Sequence, residues 1–203
     1  MEKLSKRRLD LLRHGETTFS HTLRGHLDDA LTEQGWLQMQ TTIQQQINMQ
    51  KSWDVIISSP LQRCRLFAEH LAKSLDRPML VNQNLKEMYF GDWEGQSTPL
   101  IYETEPELLA NFWQFPTQYQ APNGESLAQF QQRILLGFSQ IDQKMQQNHW
   151  KTALVITHGG IIKLLTCLAK QHHLDDLLKM PAEHGTLHSF LIFQQDQCCF
   201  EEC

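Results

Sequence analysis

Short apolar runs alternate along this chain with longer segments of helical periodicity. The clearest runs are Leu9–Leu12, Asp54–Ser58 and Ala153–Thr157. Short, mainly apolar runs of this kind are typical of strands that are buried on both faces of a parallel sheet. After Ser126, apolar residues recur in alternating steps of three and four, which predicts an amphipathic helix. The alternation predicts an α/β fold, a three-layer sandwich in which helices flank a mostly parallel central sheet.

Capping residues indicate where three of the helices begin. Thr32 suits the N-cap of a helix with one apolar face. A serine followed three residues later by glutamine predicts a capping box at both Ser59 and Ser126. Pro60 suits the first position of the helix that would follow Ser59.

The length of 203 residues predicts a single domain over residues 1–203. Residues 92–123 are less regular and rich in aromatic residues and proline, and we interpret them as a helical insertion that packs over one edge of the domain. Further strands are predicted at Met79–Val81 and Leu187–Phe193, the latter paired with a short strand at residues 198–200.

Composition excludes several classes of protein. Hydrophobic residues make up 40% of the chain, enough for a core, but no apolar run approaches the roughly 20 residues that a membrane helix needs. The basic N-terminus precedes an apolar segment too short for a signal peptide. We therefore expect a soluble, cytoplasmic protein with no membrane partner. The net charge of −5 argues against a broad nucleic-acid surface.

The five cysteines include no CxxC pair, and three of them crowd the C-terminus. Cys64 and Cys167 lie in predicted helices. We expect reduced thiols rather than disulfides or a zinc site. The roles of Cys198, Cys199 and Cys203 stay open, as does the oligomeric state.

Reactive side chains follow three of the predicted strands. The first strand ends in Arg13-His14-Gly15, the second is followed by Arg63, and a later one ends in His158-Gly159. The carboxyl ends of strands in an open α/β sheet share one edge, where ligands bind. Two histidines, two arginines and a helix N-terminus at one edge predict an anion site, most plausibly for phosphate.

These residue types suit phosphoryl transfer. An arginine fork binds two phosphoryl oxygens and stays charged, and a neutral imidazole can attack phosphorus and form a covalent intermediate. The leaving oxygen needs a proton, and Glu87 after the third strand is the candidate donor. Repulsion by a bound phosphate would favour the protonated carboxyl group.

The motifs LLRHGETT, ALTEQG, ISSPLQRC, LKEMYFGDWEG, NGES and VITHGG occur in this order. Together they resemble the histidine phosphatase (phosphoglycerate mutase-like) superfamily, from about residue 9 to at least residue 165. The resemblance implies a phosphohistidine mechanism without metal or other cofactor. The roles that it implies are nucleophile for His14, phosphate ligand for Arg13, Arg63 and His158, proton donor for Glu87, and backbone phosphate donor for Gly159.

Within that superfamily, the stretch Glu87–Glu94, the PNGE of residues 122–125 and the short length most resemble the α-ribazole phosphatases. Their reaction removes the 5′-phosphate of α-ribazole 5′-phosphate in cobalamin nucleotide-loop assembly. The alternatives are a broad-specificity histidine phosphatase, a cofactor-dependent phosphoglycerate mutase, and a catalytically silent phosphate-binding scaffold. The absence of basic residues between Trp93 and Arg133 favours hydrolysis over the mutase reaction.

Two hydroxyls near the nucleophile, on Thr17 and Ser20, are further candidate phosphate ligands, although turn hydrogen bonds explain them almost equally well. The family commonly has asparagine where this chain has Ser20, and proline where it has Ala30. Serine is shorter than asparagine, although it can still donate to phosphate.

Several other side chains have two interpretations. Trp93 and Tyr89 could stack on an aromatic base, but for Trp93 we favour core packing. His21 and His26 either rim the pocket or lie on the loop surface, and His184 could approach the site. Adjacent histidines near a helix end are usually solvent-facing, and we interpret the pair His172-His173 in this way rather than as metal ligands.

Overall fold

The computed structural model describes residues 6–194 and 198–203, so the first five residues of the basic N-terminus lie outside it. The strands are β1 (Arg7–Arg13), β2 (Val55–Ser58), β3 (Met79–Val81), β4 (Thr152–Thr157), β5 (Leu187–Gln194) and β6 (Cys198–Glu202). The helices are α1 (Glu33–Asn48), α2 (Gln62–Leu75), α3 (Thr98–Thr104), α4 (Pro106–Gln114), α5 (Leu127–Gln147) and α6 (Gly159–Ala169). Short 3₁₀ turns cover Gln83–Leu85, Gly91–Trp93 and Leu174–Lys179.

The strands form one sheet in the order β3-β2-β4-β1-β5-β6. The first four strands in this order pair in parallel, whereas β5 pairs antiparallel with both β1 and β6. Because β3, β2, β4 and β1 all run in the same direction, their carboxyl ends share one edge of the sheet. The predicted α/β fold with a mostly parallel sheet is confirmed.

Apolar side chains cover both faces of the sheet. On one face, Leu9 and Leu11 of β1 pack in a cluster with residues of α5 and α6. On the other face, Leu12 packs with Met39 of α1 and Phe67 of α2. The alternation of neighbouring β1 residues between the faces follows from the two-residue period of a strand. The three layers are therefore α1 with α2, the sheet, and α5 with α6.

The segment predicted as an insertion contributes to the same core as the sheet. Ile101 of α3, together with Leu109 and Phe112 of α4, belongs to the cluster that covers Leu9 and Leu11. This shared core supports our proposal that residues 1–203 fold as one domain, with the helical insertion at about residues 92–123.

Two of the predicted helix caps are confirmed and one is wrong. Thr32 caps α1, and Ser126 forms a capping box at α5. Helix α2 begins at Gln62 and not at Pro60, and its N-cap residue, Leu61, makes no side-chain cap. The hydroxyl of Ser59 accepts from the backbone N–H of Leu61 at 3.3 Å and also hydrogen-bonds to His158, while a carboxylate oxygen of Asp28 accepts from the Gln62 backbone N–H at 2.7 Å. At Gln62, a tertiary contact with Asp28 therefore replaces the predicted contact with Ser59.

None of the helices in the described ranges is long and apolar enough to cross a bilayer. Cys64 and Cys167 are buried thiols in α2 and α6, and Cys203 is exposed. The side chain of Cys198 lies outside the described part of the chain.

Candidate active site

The strand register brings the two predicted histidines together. Arg13 at the end of β1 lies opposite Thr157 at the end of β4. The backbone N–H of His14 donates to the carbonyl of Thr157 at 2.9 Å. The rings of His14 and His158 follow directly, with centroids 5.2 Å apart. Residues 144 positions apart in sequence thus become neighbours, because their strands pair in parallel.

His14 is buried with one ring nitrogen committed to the backbone. Its Nδ1 lies 2.8 Å from the carbonyl oxygen of Gly15. A carbonyl can only accept, so Nδ1 carries the proton and Nε2 keeps its lone pair. Burial, followed by the positive charge of Arg63, holds the pKa of His14 well below its ordinary value of 6.5. The ring is therefore neutral near neutral pH, with Nε2 available as a base or nucleophile.

His158 has both ring nitrogens engaged. Arg63 Nε donates to Nδ1 at 3.3 Å, so the ring proton is on Nε2, which donates to the hydroxyl of Ser59 at 2.7 Å. Burial, then the charge of Arg63, holds the pKa of His158 well below its ordinary value. His158 is thus neutral and fixed in orientation beside His14.

Arg63 is fully buried and held by four contacts. Besides His158, Nη1 donates to the carbonyl of Leu27 at 2.7 Å and to Asp29 at 3.1 Å, and Nη2 donates to the carbonyl of Gly25 at 2.8 Å. The guanidinium therefore ties the loop after the nucleophile to α2 and β4. It brings its charge to the site in a fixed geometry.

Arg13 and α6 form a second wall of the site. Arg13 Nη1 donates to the carbonyl of Ala182. Its Nε is buried and has no hydrogen-bond partner within the described residues. A Cβ at Gly159 would lie 3.1 Å from Arg13 Cζ, so the guanidinium packs directly on the start of α6. The first N–H groups of a helix have no intrahelical partner, and this start can therefore bind an anion.

Glu87 lies at the same helix start. Its carboxylate accepts from the backbone N–H of Met88 at 2.9 Å and of Gly160 at 2.9 Å. A Cβ at position 160 would lie only 2.3 Å from a carboxylate oxygen, so this contact requires Gly160. The carboxyl group predicted from sequence is thus fixed at the positive end of α6.

A cavity of about 750 Å³ is lined by Arg13, Glu87 and Gly159 of this site, whereas His14, Arg63 and His158 are not part of its lining. Its charged lining includes Arg13, Arg24, Glu87 and Lys163. Its apolar lining includes Leu23, Met88, Phe90, Phe112, Leu127 and Phe130. One part of the cavity therefore suits an anion, and another part suits an apolar or aromatic group.

Thr17 and Ser20 make the hydrogen bonds of a turn. The hydroxyl of Ser20 accepts from the backbone N–H of Thr17 at 2.8 Å and lies 3.4 Å from the Thr17 hydroxyl. Ser20 lines the cavity. The structure therefore contains the hydrogen bonds that the turn interpretation expects. A role for Thr17 or Ser20 as a phosphate ligand stays a proposal.

The structure shows which of the other histidines line the cavity. His21 and His184 line the cavity, and the ring of His184 lies 5.5 Å from that of His14. Burial, then the charges of Arg13 and Arg24, lowers the pKa of His184 to about 4. His26 instead packs on Tyr89, with ring centroids 5.0 Å apart.

Trp93 and the histidine pair lie away from the cavity lining. Trp93 is fully buried, packs on Phe112 and donates to Glu105 at 3.2 Å, so the core interpretation holds. His172 and His173 are exposed, and His173 caps the 3₁₀ turn that follows it.

Sequence reasoning missed Arg24 and Asp29. The buried carboxylate of Asp29 bridges Arg63 and Arg24, at 3.1 and 3.3 Å. The signal was present as an arginine and two adjacent aspartates in the loop directly after the nucleophile. Such loop residues lack periodicity, and only the fold shows which of them turn inward.

Comparison with known proteins identifies the family. Residues 9–201 match the histidine phosphatase superfamily (branch 1). The chain belongs to this superfamily. This histidine phosphatase is 30% identical over 202 residues to the adenosylcobalamin/alpha-ribazole phosphatase of Escherichia coli strain K12, a match that covers 95% of this chain and 87% of that protein. The predicted family is thereby confirmed, and the chain is a phosphatase.

Other relatives of this histidine phosphatase carry different names. It is 29% identical over 163 residues to phosphoserine phosphatase 1 of Hydrogenobacter thermophilus, with 79% of this chain and 74% of that protein covered. The solved structure of Bacillus stearothermophilus YhfR superposes with a TM-score of 0.81 at 27% identity, covering 97% of this chain and 95% of that one. The family is therefore clear, while the names of its relatives point to more than one substrate.

Proposed function

We propose that this histidine phosphatase hydrolyses phosphomonoesters through a phosphohistidine at His14, and that α-ribazole 5′-phosphate is its substrate in cobalamin nucleotide-loop assembly. The observation that carries the mechanism is the hydrogen bond from His14 Nδ1 to Gly15. It leaves the Nε2 lone pair of a neutral, buried ring among guanidinium groups, as attack on a phosphate anion requires.

The proposed reaction has two steps, phosphorylation of His14 and hydrolysis of the phosphohistidine. His14 Nε2 forms a bond to phosphorus while the ester P–O bond breaks, and Glu87 gives a proton to the leaving oxygen. Water next attacks the phosphorus and gives a proton to Glu87, while the bond between phosphorus and His14 Nε2 breaks, so that inorganic phosphate leaves and His14 is restored. Arg13, Arg63 and the Gly159 amide bind the phosphoryl oxygens in both steps, and His158 joins them when its Nε2–H turns from the Ser59 hydroxyl to a phosphoryl oxygen. The scheme requires no metal ion.

Two observations support α-ribazole 5′-phosphate as the substrate. The apolar part of the cavity, which includes Phe90, Phe112 and Phe130, suits an aromatic base such as dimethylbenzimidazole. A relative that covers 95% of this chain is named an alpha-ribazole phosphatase. Lys163 and Lys179 also line the cavity, so a substrate with a second acidic group belongs in any comparison.

The mechanism is tested by covalent labelling. Wild-type protein incubated with a ³²P-labelled phosphomonoester should carry acid-labile, base-stable phosphate. The His14→Ala variant should carry none and should lose at least about 1,000-fold in kcat. His172→Ala, which changes an exposed histidine, is the matched control and should label normally. A labelled His14→Ala variant would contradict the nucleophile assignment, and an unlabelled, inactive wild type would favour the scaffold alternative.

The substrate is tested separately by kcat/KM for α-ribazole 5′-phosphate, phosphoserine, 3-phosphoglycerate and p-nitrophenyl phosphate, each with chelator present. We expect α-ribazole 5′-phosphate to exceed the others by at least about 100-fold, since its base can fill the apolar part of the cavity. Similar low values for all four would indicate broad specificity. Conversion of 3-phosphoglycerate to 2-phosphoglycerate would indicate a mutase.

A further inference from the structure

Arg24 is a buried cation that the scheme above does not use. It lies in the loop between the nucleophile and α1 and lines the cavity, yet its side chain is only 8% exposed. Nη1 donates to the Ser20 hydroxyl and to the Asp29 carboxylate, both at 3.3 Å. Its Nε is buried and has no hydrogen-bond partner in the described part of the chain. Burying a hydrogen-bond donor without a partner costs free energy of folding. The unpartnered N–H therefore suggests that a ligand accepts from it.

The three arginines of the site differ in how many donors they leave open. Arg63 directs Nε and both terminal nitrogens at protein acceptors. Arg13 and Arg24 each direct Nη1 at the protein, and each has a buried Nε without a partner within the described residues. Arg24 therefore resembles Arg13, a proposed phosphate ligand, more than it resembles the heavily tethered Arg63.

The contacts of Ser20 suggest a supporting role for this residue. Its hydroxyl oxygen lies within hydrogen-bond distance of both the Thr17 amide and Arg24 Nη1. Asp29 holds the same Nη1 from the other side and joins it to Arg63. Serine and aspartate thus fix the guanidinium through Nη1, and its buried Nε stays without a hydrogen-bond partner among the residues that the structure describes.

We propose that Arg24 is an additional ligand of the transferred phosphoryl group, and that Ser20 and Asp29 are positioning residues for it. This inference rests on the proposed phosphatase mechanism. Arg24 Nε and an adjacent terminal N–H would donate to non-bridging phosphoryl oxygens, while the Ser20 hydroxyl accepts from Arg24 Nη1 and from the Thr17 backbone N–H. After burial and the charges of Arg63 and Arg13, the charge of Arg24 also contributes to lowering the pKa of His14.

The test compares Arg24→Met and Arg24→Lys with wild type, using p-nitrophenyl phosphate as substrate and inorganic phosphate as inhibitor. We expect Arg24→Met to lower kcat/KM by roughly 100-fold or more and to weaken phosphate inhibition by at least about 10-fold, since a charge-assisted donor is lost. Arg24→Lys should be intermediate, because it keeps the charge without the fork. Arg65→Met, on the exposed side of α2, is the matched control and should change neither value.

Guanidinium rescue separates a ligand from a structural residue. Millimolar guanidinium chloride should restore part of the activity of Arg24→Ala and should not affect wild type. If Arg24→Met does not fold, Arg24→Lys and the rescue carry the test. Values for Arg24→Met within threefold of wild type would overturn the proposal. So would a loss confined to phosphoserine and 3-phosphoglycerate, which would assign Arg24 to a second acidic group.

The two proposals fail in different ways. If wild type forms no phosphohistidine, the proposed mechanism is wrong, whatever Arg24 does. If wild type and Arg24→Met form phosphohistidine at the same rate, the mechanism stands and only the role of Arg24 is refuted.

Discussion

The His14 ring carries its proton on Nδ1, because the Gly15 carbonyl oxygen 2.8 Å away can only accept. The same turn that ends β1 therefore selects the nitrogen that can attack phosphorus. Burial and the charges of Arg63, Arg13 and Arg24 keep the ring neutral. One local hydrogen bond and several charges from distant parts of the sequence thus act on a single side chain. Only the hydrogen bond lies within the sequence motif.

The lowered pKa predicts that His14 does not protonate at its ordinary value of 6.5. In a ¹³C-labelled protein, the Cε1 resonance of His14 should keep the chemical shift of a neutral ring from about pH 8 down past pH 6.5. The His14→Gln variant assigns the resonance. A titration midpoint at or above 6.5 would show that burial and the arginines do not control this ring.

Helix α5 holds the segment that presents Glu87. Arg133 Nη1 donates to the carbonyls of Asn84 and Lys86, at 2.7 and 2.9 Å, and Nη2 donates to the carbonyl of Glu87 at 3.1 Å. Glu125, just before α5, pairs with the same guanidinium at 2.7 Å. The position of the proposed acid thus depends on a helix that contributes no side chain to the chemistry.

Replacing Arg133 by methionine should therefore affect proton donation more than phosphate binding. We expect kcat to fall roughly 10- to 100-fold for an alkyl phosphate, whose leaving oxygen needs a proton. We expect a smaller fall for p-nitrophenyl phosphate, whose leaving group departs as a stable anion. Steady-state kinetics on both substrates measures the difference, with Arg65→Met as the control. Equal losses on both would show a general structural defect instead.

At the scale of the whole molecule, the parallel strands β1, β2 and β4 bring three stretches of sequence to one edge, and both faces of the sheet are sealed by apolar clusters. At this edge, His14 and His158 are both buried as neutral rings. A lowered histidine pKa in the folded state means that the unfolded chain binds more protons below pH 6.5. Stability must then fall as the pH falls.

The free energy of unfolding should accordingly decrease between pH 7.5 and 5.5, by up to about 1 kcal/mol per pH unit below 6.5 for each histidine that stays neutral. Urea titrations across this range measure the slope. The His14→Asn variant should show a shallower slope than wild type, because one buried neutral ring is removed. An unchanged slope would mean that other groups govern the acid sensitivity.

Local sequence was sufficient to predict most of the strands and helices and to select five candidate site residues. The predicted strand Met79–Val81 matches β3, and the box at Ser126 caps α5, because apolar periodicity and capping act over a few residues. The residues Arg13, His14, Arg63, Glu87 and His158 could be selected because strand ends of a parallel sheet share an edge and because their motifs are specific.

Which polar side chains in loops turn inward depended on contacts between distant segments. These contacts joined the Ser59 hydroxyl to His158 and the Asp28 carboxylate to the Gln62 backbone N–H, and they buried Arg24 beside Asp29. These contacts join segments from different strands and loops, and their energies depend on burial and on charges that arrive from distant parts of the chain. Apolar periodicity and motif order were therefore enough to predict the sheet, its flanking helices and the reactive residues at one edge. The tautomers, the protonation states and the burial of Arg24 depend on what lies next to each group in space, and they became visible only in the folded chain.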